Sequence, residues 1–240
     1  MKVSRNSKIT SSYKCDKCRD TGWILVPQER YNDLAIKCEC QKPEAIRNNI
    51  ERSGLKDKMS EYTFSGYMPW NEASIFAKKV AIKYFKDFKN YKNTRENSIL
   101  LCGQVGSGKT HLATAIALNF LEDNKKVIYM SYRDEITYIK QIILDRNAYI
   151  KAIDKFKKCE ILFIDDLFKG KVNESDINIM FEIVNYRYLN YLPMIISSEW
   201  MLENLLEFDE ATASRIFEMC RKFIVQIPNN NDYNYRLRDR

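Results

Sequence analysis

The amino-acid sequence contains no apolar run that approaches the length needed to cross a membrane, and it lacks internal repeats and low-complexity tracts. Its first residues, Met-Lys-Val-Ser-Arg-Asn, have no apolar core like that of a signal peptide. These absences argue against a membrane protein or a secreted one, and they predict a cytoplasmic location. Because thiols stay reduced there, the seven cysteines are not expected to form a disulfide framework.

The 240 residues are enough for one large domain, or for a core domain with a small additional module. Charged residues make up 30 % and hydrophobic residues 45 % of the chain, which is the balance of a globular protein. The formal net charge is +7. Such an excess favours a polyanionic partner such as nucleic acid, but solvated helix faces would give the same pattern, so charge alone names no partner.

Residues 103–110 match the pattern G-x-x-x-x-G-K-[ST], in which a glycine-rich loop wraps its N–H groups around the phosphates of a nucleotide. An apolar stretch predicts a buried strand before the loop, and residues 109–122 have the apolar spacing of a helix after it. Lys109 is expected to face the β- and γ-phosphates, and Thr110 a Mg²⁺ ion. The predicted nucleotide-binding residues are Gly103, Gln104, Val105, Gly106, Ser107, Gly108, Lys109 and Thr110.

Two carboxylates, Asp165 and Asp166, end a second apolar stretch. An aspartate at the end of a buried strand is the usual Mg²⁺ ligand of phosphate-loop nucleoside triphosphatases. We expect Asp165 to hold Mg²⁺ together with Thr110, and Asp166 to orient and polarise the attacking water. The alternative is an Asp-Asp pair that caps a turn.

Four cysteines gather in two close pairs near the N-terminus, namely Cys15, Cys18, Cys38 and Cys40. Two such pairs suit a structural zinc ion with four thiolate ligands. The stretches Trp23–Val26 and Leu34–Lys37 between them predict a short hairpin. Free or redox-active thiols are the alternative interpretation.

From residue 98 onward, five short apolar strands alternate with helices, one of which is predicted over Arg133–Asp145. This alternation predicts an α/β fold with a parallel five-stranded sheet flanked by helices. Ligands bind at the carboxyl ends of the strands in such sheets, where the phosphate loop, Asp165 and Ser198 all fall. We place a zinc-binding module with a connector helix at 1–58, and the nucleotide-binding core at 59–240.

Together these motifs resemble the AAA+ helicase loaders of the DnaC/DnaI type. The resemblance rests on GQVGSGKTHLA, ILFIDDLF, NYRYLN, PMIISSEW and SRIFEMC in the core. The phage and Firmicute branch of these loaders also carries an N-terminal C-x-x-C-x-D-T-G module, which matches residues 15–22. The related IstB transposition helpers share the ATPase core but typically lack this module.

The resemblance implies further roles. Arg215 aligns with an arginine finger that enters the ATP site of a neighbouring subunit. His111 joins the nucleotide-binding residues, and Ser198 takes the sensor 1 role with Glu199 turned away. Most relatives have Glu where Asp166 stands, so slow ATP hydrolysis is expected. The lid beyond the last strand is expected to be reduced or absent.

The implied function is an ATP-dependent loader that places a hexameric replicative helicase of the DnaB type on single-stranded DNA. It would work as an ATP-dependent homo-oligomer with ATP, Mg²⁺ and Zn²⁺ as cofactors, and the zinc module would grip the helicase. Tyr132, Arg133 and Lys140 are candidates for DNA contacts by position. Arg187 could lie at a subunit interface or in an internal ion pair, and Arg236 could reach the nucleotide. The alternatives are an IstB-like regulator of DNA transposition, a P-loop kinase acting on a small molecule, and a binder that does not hydrolyse ATP.

Overall fold

A computed structural model describes residues 13–27, 34–58 and 61–237. The chain divides into two compact units, residues 1–47 and 48–240, and residues 1–12 of the expected N-terminal module lie outside the described residues. In the first unit, β1 (Trp23–Val26) and β2 (Leu34–Lys37) pair antiparallel, with Ile24 opposite Ile36. This pairing confirms the hairpin predicted from the sequence.

Helix α1 (Lys42–Ser53) begins in the first unit and ends in the second. Just beyond it, Leu55 is fully buried in a core cluster of the second unit. Leu55 also accepts a 3.0 Å hydrogen bond from the Lys58 N–H. These residues pack with the core, and the division into two compact units falls after Arg47.

The second unit is built on a parallel five-stranded sheet, as predicted. Its strands are β3 (Ile99–Gly103), β4 (Val127–Ser131), β5 (Ile161–Asp165), β6 (Met194–Ser198) and β7 (Ile224–Ile227). Their order across the sheet is β4-β5-β6-β3-β7. The carboxyl ends of β3, β5 and β6 therefore lie side by side at one edge, where a parallel sheet binds its ligands.

Among the described residues, seven further helices, all within the second unit, cover the two faces of this sheet. They are α2 (Glu72–Tyr91), α3 (Lys109–Glu122), α4 (Tyr132–Gln141), α5 (Arg146–Lys158), α6 (Glu174–Leu189), α7 (Leu202–Phe208) and α8 (Glu210–Cys220). Successive side chains of a strand point to opposite faces of the sheet. Ile99 and Leu101 therefore pack on one face with residues of α2 and α3, and Leu100 and Cys102 pack on the other face with residues of α4 to α8. No helix in the described parts of the chain is long and apolar enough to cross a bilayer.

The prediction of a helix from Arg133 to Asp145 is wrong at its C-terminal end. Helix α4 ends at Gln141, and Asp145 instead caps the start of α5. The Asp145 carboxylate accepts hydrogen bonds from the N–H groups of Asn147 (3.1 Å) and Ala148 (3.0 Å). An aspartate that satisfies two free N–H groups at a helix start separates two helices where the apolar spacing alone predicted one.

Candidate functional site

The phosphate loop connects β3 to α3, and its backbone requires glycine at two places. Gly103 has φ +103°, and a Cβ there would lie 2.0 Å from the carbonyl oxygen of Ile227. Gly108 has φ +85° and begins α3 against the ring of Tyr67, 2.6 Å from where a Cβ would stand. Both positions combine a left-handed backbone with a close neighbour, so the loop keeps its shape only without side chains there.

Lys109 follows this loop with only 5 % of its surface exposed. Its Nζ donates hydrogen bonds to the carbonyl oxygens of Gly103 (2.8 Å) and Gln104 (2.6 Å). Burial lowers the pKa of Lys109 to about 8, against the opposing charges of Glu199 and Asp166. The ammonium is thus poorly solvated and can gain charge stabilisation from anionic phosphates at the loop.

The carboxylate of Asp165 is surrounded by donors on both oxygens. Thr110 donates to Oδ1 at 2.9 Å, and Ser197 donates to the same oxygen at 2.6 Å. Tyr129 donates to Oδ2 at 3.0 Å, and Lys58 Nζ lies 3.8 Å from that oxygen. The structure therefore brings together the two residues expected at a Mg²⁺ ion, Thr110 and Asp165, and adds three contacts that the sequence did not indicate.

Ser197, rather than Ser198, is the serine that reaches Asp165. Ser197 follows Ile196, which pairs with Ile164 of β5, so Ser197 lies alongside the end of β5. Ser198 points to the opposite face of the sheet and donates to the carbonyl oxygen of Leu167 at 2.9 Å. The structure thus places Ser197 next to Asp165, and not Ser198, which was expected to take the sensor 1 role, because successive side chains of a strand point to opposite faces.

Asp166 is held on both its main chain and its side chain. Its N–H donates to Ser197 Oγ at 2.8 Å, and its carboxylate accepts from Lys169 Nζ at 2.8 Å. The same Lys169 Nζ lies 2.8 Å from Glu199, which lines the cavity with Lys169 rather than turning away. Lys169 is thus shared by the two carboxylates nearest to the expected phosphate position, and no motif in the sequence marked it.

A cavity of about 430 Å³ opens beside the phosphate loop and includes Lys109, Thr110, Asp165 and Asp166 in its lining. One wall is mainly aromatic and comes from the segment before α2 and the segment after β7, with Tyr62, Tyr67, Met68, Trp70 and Tyr235. His111 joins this wall with ring centroids 5.2 Å from both Tyr62 and Tyr67. Flat apolar rings next to a phosphate loop form a surface on which a nucleotide base can stack.

The segment after β7 folds back over the phosphate loop. The N–H of Tyr235 donates to the carbonyl oxygen of Gly106 at 3.0 Å, and its ring packs edge-on against Trp70 at 5.1 Å. Arg236, whose position was left open, lines the cavity. In the described part of the chain, two short 3-10 turns at 231–233 and 235–237 follow β7, and no α-helix does.

Arg215 does not line the cavity of its own chain. Its Nε donates to Asn185 Oδ1 at 3.0 Å, and its guanidinium lies 5.0 Å from the ring of Phe181.

The three residues that are candidates for DNA contacts differ in their exposure and pairing. Tyr132 is buried, and Lys140 pairs with Asp176 at 2.6 Å, whereas Arg133 is exposed.

Arg187 is buried inside the second unit, with no exposed surface. Its guanidinium donates to the carbonyl oxygens of Phe156 (2.8 Å), Cys159 (3.0 Å) and Pro193 (2.8 Å). Burial lowers its pKa, while the neighbouring Cys159 opposes this shift. Arg187 therefore ties the end of α5 to the start of β6 through main-chain acceptors, and neither the interface nor the ion-pair interpretation applies.

The four cysteines of the first unit come together as predicted. Their Sγ atoms all lie within 4.8 Å of one another. Cys15 and Cys38 are 3.7 Å apart, and Cys18 and Cys40 are 3.5 Å apart. Hydrogen bonding to the backbone of Cys18 is the main cause that lowers the pKa of Cys15 to about 7. Four converging thiols, one with a lowered pKa, are the donor set that a tetrahedral zinc ion takes.

The strand order and the helix layers given above are those of the AAA+ phosphate-loop fold. The family model of the IstB-like ATP binding protein matches residues 72–240, and the chain belongs to this family. It is 36 % identical over 211 residues to the uncharacterized protein YqaM of Bacillus subtilis (strain 168), covering 85 % of this chain and 67 % of YqaM. It is 34 % identical over 239 residues to XkdC, a protein of the phage-like element PBSX in the same organism, covering 95 % of this chain and 87 % of XkdC.

Solved structures show the same fold at lower sequence identity. The DnaC helicase loader superposes with a TM-score of 0.59 at 21 % identity, over 69 % of this chain and 96 % of the loader. DnaI gives a TM-score of 0.56 at 22 % identity, over 77 % of this chain and 94 % of DnaI. The replication initiator DnaA, bound to AMPPCP and single-stranded DNA, gives 0.55 at 23 % identity, over 71 % of this chain and 50 % of DnaA. The core is thus built like those of helicase loaders and initiators.

Proposed function

We propose that this protein binds Mg²⁺·ATP in the 430 Å³ cavity and hydrolyses it. The observation that carries the proposal is the convergence of Lys109, Thr110 and Asp165 on one end of that cavity. Thr110 and Asp165 would hold the metal, which supplies charge stabilisation for the phosphates when bound. The aromatic wall would take the base, with Tyr67 kept protonated because burial raises its pKa to about 12.

Asp166 is the group proposed to orient the attacking water. Its carboxylate is bonded to Lys169, which also pairs with Glu199, so water activation requires this network to open. Asp is also one methylene shorter than the Glu that most related ATPases carry. Both features support slow turnover, which suits a switch better than a motor.

Arg215 is proposed to act on a neighbouring subunit. It lies outside the cavity of its own chain, so its guanidinium can serve a γ-phosphate only across an interface. Its contact with Asn185 would hold it until the subunits assemble. ATP-dependent homo-oligomerisation follows from this arrangement, because the site is complete only where two chains meet.

We further propose that the protein loads a replicative helicase of the DnaB type onto single-stranded DNA. Two findings support this function. The chain is 34 % identical over 95 % of its length to a phage-like element protein, and its core has the fold of the DnaC helicase loader. The cysteine module, loaded with Zn²⁺, would grip the helicase, and a cytoplasmic location would follow. Exposed basic groups such as Arg133 would contact DNA in the assembled state.

The test is a capture experiment with the full-length protein, ATP and cell extract. The wild type is expected to retain a hexameric helicase in the presence of Mg²⁺·ATP. The variant Lys109→Ala, which lacks the main cation facing the phosphates, is expected to lose ATP binding while keeping its melting temperature. Capture of no helicase by the wild type, under conditions where it binds ATP, would refute the loader function but not the ATPase.

An IstB-like role in DNA transposition is the second candidate, since the family model matches residues 72–240. The chain is also 30 % identical over 102 residues to an insertion-sequence ATP-binding protein of Sinorhizobium fredii (strain NBRC 101917 / NGR234), covering 42 % of this chain and 34 % of that protein. The cysteine cluster favours the loader, because IstB proteins typically lack such a module. Co-purification of a transposase instead of a helicase would reverse this preference.

A further inference from the structure

Lys58 lies at the end of the connector, the segment from the start of α1 to residue 58. Its side chain reaches Asp165, which is proposed to hold the metal. Its Nζ donates a 2.8 Å hydrogen bond to the hydroxyl of Tyr129 and lies 3.8 Å from Asp165 Oδ2. It also stands 4.2 Å from the centroid of the Tyr129 ring. Among the described residues, Lys58 is the only lysine or arginine whose side-chain nitrogen lies within 4.0 Å of this carboxylate.

Tyr129 holds the two charges together. It donates to Asp165 Oδ2 at 3.0 Å while its hydroxyl oxygen accepts from Lys58. Burial, with the nearby Asp165 charge, raises its pKa, so the hydroxyl keeps its proton and remains a donor. The other carboxylate oxygen, Oδ1, accepts from Thr110. The two oxygens of Asp165 therefore face different groups, Oδ1 the phosphate loop and Oδ2 the connector.

We propose that Lys58 competes with Mg²⁺ for the charge of Asp165 and so couples the connector to the nucleotide site. An ammonium 3.8 Å from the carboxylate neutralises part of its charge and repels a second cation at the same group. Metal affinity is lowered while Lys58 is in place. By linkage, a bound metal weakens the hold of Asp165 on Lys58 by the same factor.

The connector is built to respond to this change. Leu55 anchors the connector in the core. In the described residues, the last turn of the connector is held by main-chain hydrogen bonds that include Lys58 N–H to the carbonyl of Leu55 (3.0 Å) and Tyr62 N–H to the carbonyl of Lys58 (3.2 Å). Loss of the Lys58–Asp165 attraction therefore loosens the turn Lys56–Lys58. Because Lys58 competes with Mg²⁺ for Asp165, a partner that displaced Lys58 would strengthen Mg²⁺ binding.

The inference rests on the proposed ATP site, and the test separates the two. The apparent Mg²⁺ affinity is measured at fixed fluorescent ATP analogue for the full-length wild type and for Lys58→Met, which keeps the aliphatic stem but not the charge. We expect Lys58→Met to bind Mg²⁺ on the order of tenfold more tightly, as the loss of a unit charge a few ångströms from a partly buried ion implies. Lys56→Met is the matched control, because Lys56 is an exposed lysine of the same turn.

Two further measurements guard against a structural effect. Lys58→Arg keeps the charge and should retain the wild-type Mg²⁺ dependence. Hydrogen exchange at the turn Lys56–Lys58 should quicken when Mg²⁺ and the analogue bind to the wild type, but not to Lys58→Met. Unchanged or weaker Mg²⁺ binding by Lys58→Met, with wild-type binding intact, would overturn the coupling alone. A wild type that binds no nucleotide would overturn both proposals.

Discussion

Replacement of Ser197 by alanine tests whether the hydroxyl beside Asp165 serves turnover. Ser197 has no exposed surface, and its Oγ both donates to Asp165 Oδ1 at 2.6 Å and accepts the N–H of Asp166 at 2.8 Å. Ser197→Ala removes one donor from a carboxylate and takes away the hydroxyl that accepts the N–H of Asp166. A hydrogen bond to a charged group contributes about 1.5–3 kcal/mol. If this contribution is made in the transition state, kcat should fall about 10- to 150-fold.

Ser198→Ala is the matched control, since it removes the same hydroxyl from an equally buried neighbour. Its Oγ bonds to the carbonyl of Leu167 instead of to a carboxylate, so we expect a loss of about 1 kcal/mol in unfolding free energy and little change in kcat. The assay is steady-state ATP hydrolysis, with kcat and KM determined for both variants, alongside thermal melting. A larger loss of kcat in Ser198→Ala than in Ser197→Ala, with both variants folded, would refute the role of the Ser197 hydroxyl in turnover.

Three other predictions concern pH, metal and assembly. Burial lowers the pKa of Lys109 to about 8, so its ammonium loses a proton as the pH rises through that value. ATP affinity should therefore fall above about pH 8. Calorimetry in buffers of different ionisation enthalpy should show proton uptake when ATP binds. Cys38→Ser should release one zinc per chain and unfold the first unit while the core keeps its melting temperature, since so small a module depends on its metal; a zinc-free wild type with a folded hairpin would refute this. Arg215→Ala should bind ATP yet fail to hydrolyse it, and mixing it with Lys109→Ala should partly restore turnover; no rescue at any ratio would place the action of Arg215 within its own chain.

The central part of the site could be predicted because its residues are tied to motifs and to strand ends. The phosphate loop fixes Lys109 and Thr110 by spacing alone, and an apolar stretch that ends in Asp165 must deliver it to the same edge of a parallel sheet. The choice between Ser197 and Ser198, in contrast, needed the register between β5 and β6, which only the structure supplies. Asp165 and Ser197 share a face of the sheet by strand alternation, so counting in twos from paired residues of β5 and β6 identifies Ser197.

Other parts of the site depend on contacts that no local pattern encodes. Lys58 and Tyr129 meet across 71 residues of sequence, and Tyr235 meets Gly106 through a main-chain bond that any residue could make. The aromatic residues at 62–70 belong to no motif that would place them in the lining of the cavity. The break at Asp145, in contrast, had a detectable signal, because an aspartate before a new amphipathic run is a common helix start.

The buried guanidinium of Arg187 has a consequence for mutational tolerance. Apart from Cys159 Sγ at 3.2 Å, its acceptors are main-chain carbonyls, among them those of Phe156, Cys159 and Pro193, and every amino acid supplies such a carbonyl. Substitution at the acceptor positions therefore changes packing but cannot delete these hydrogen bonds. Substitution at 187 deletes all of them at once and leaves several carbonyls unpaired. Saturation mutagenesis of this region should consequently show an asymmetric pattern, with one intolerant position contacting several permissive ones.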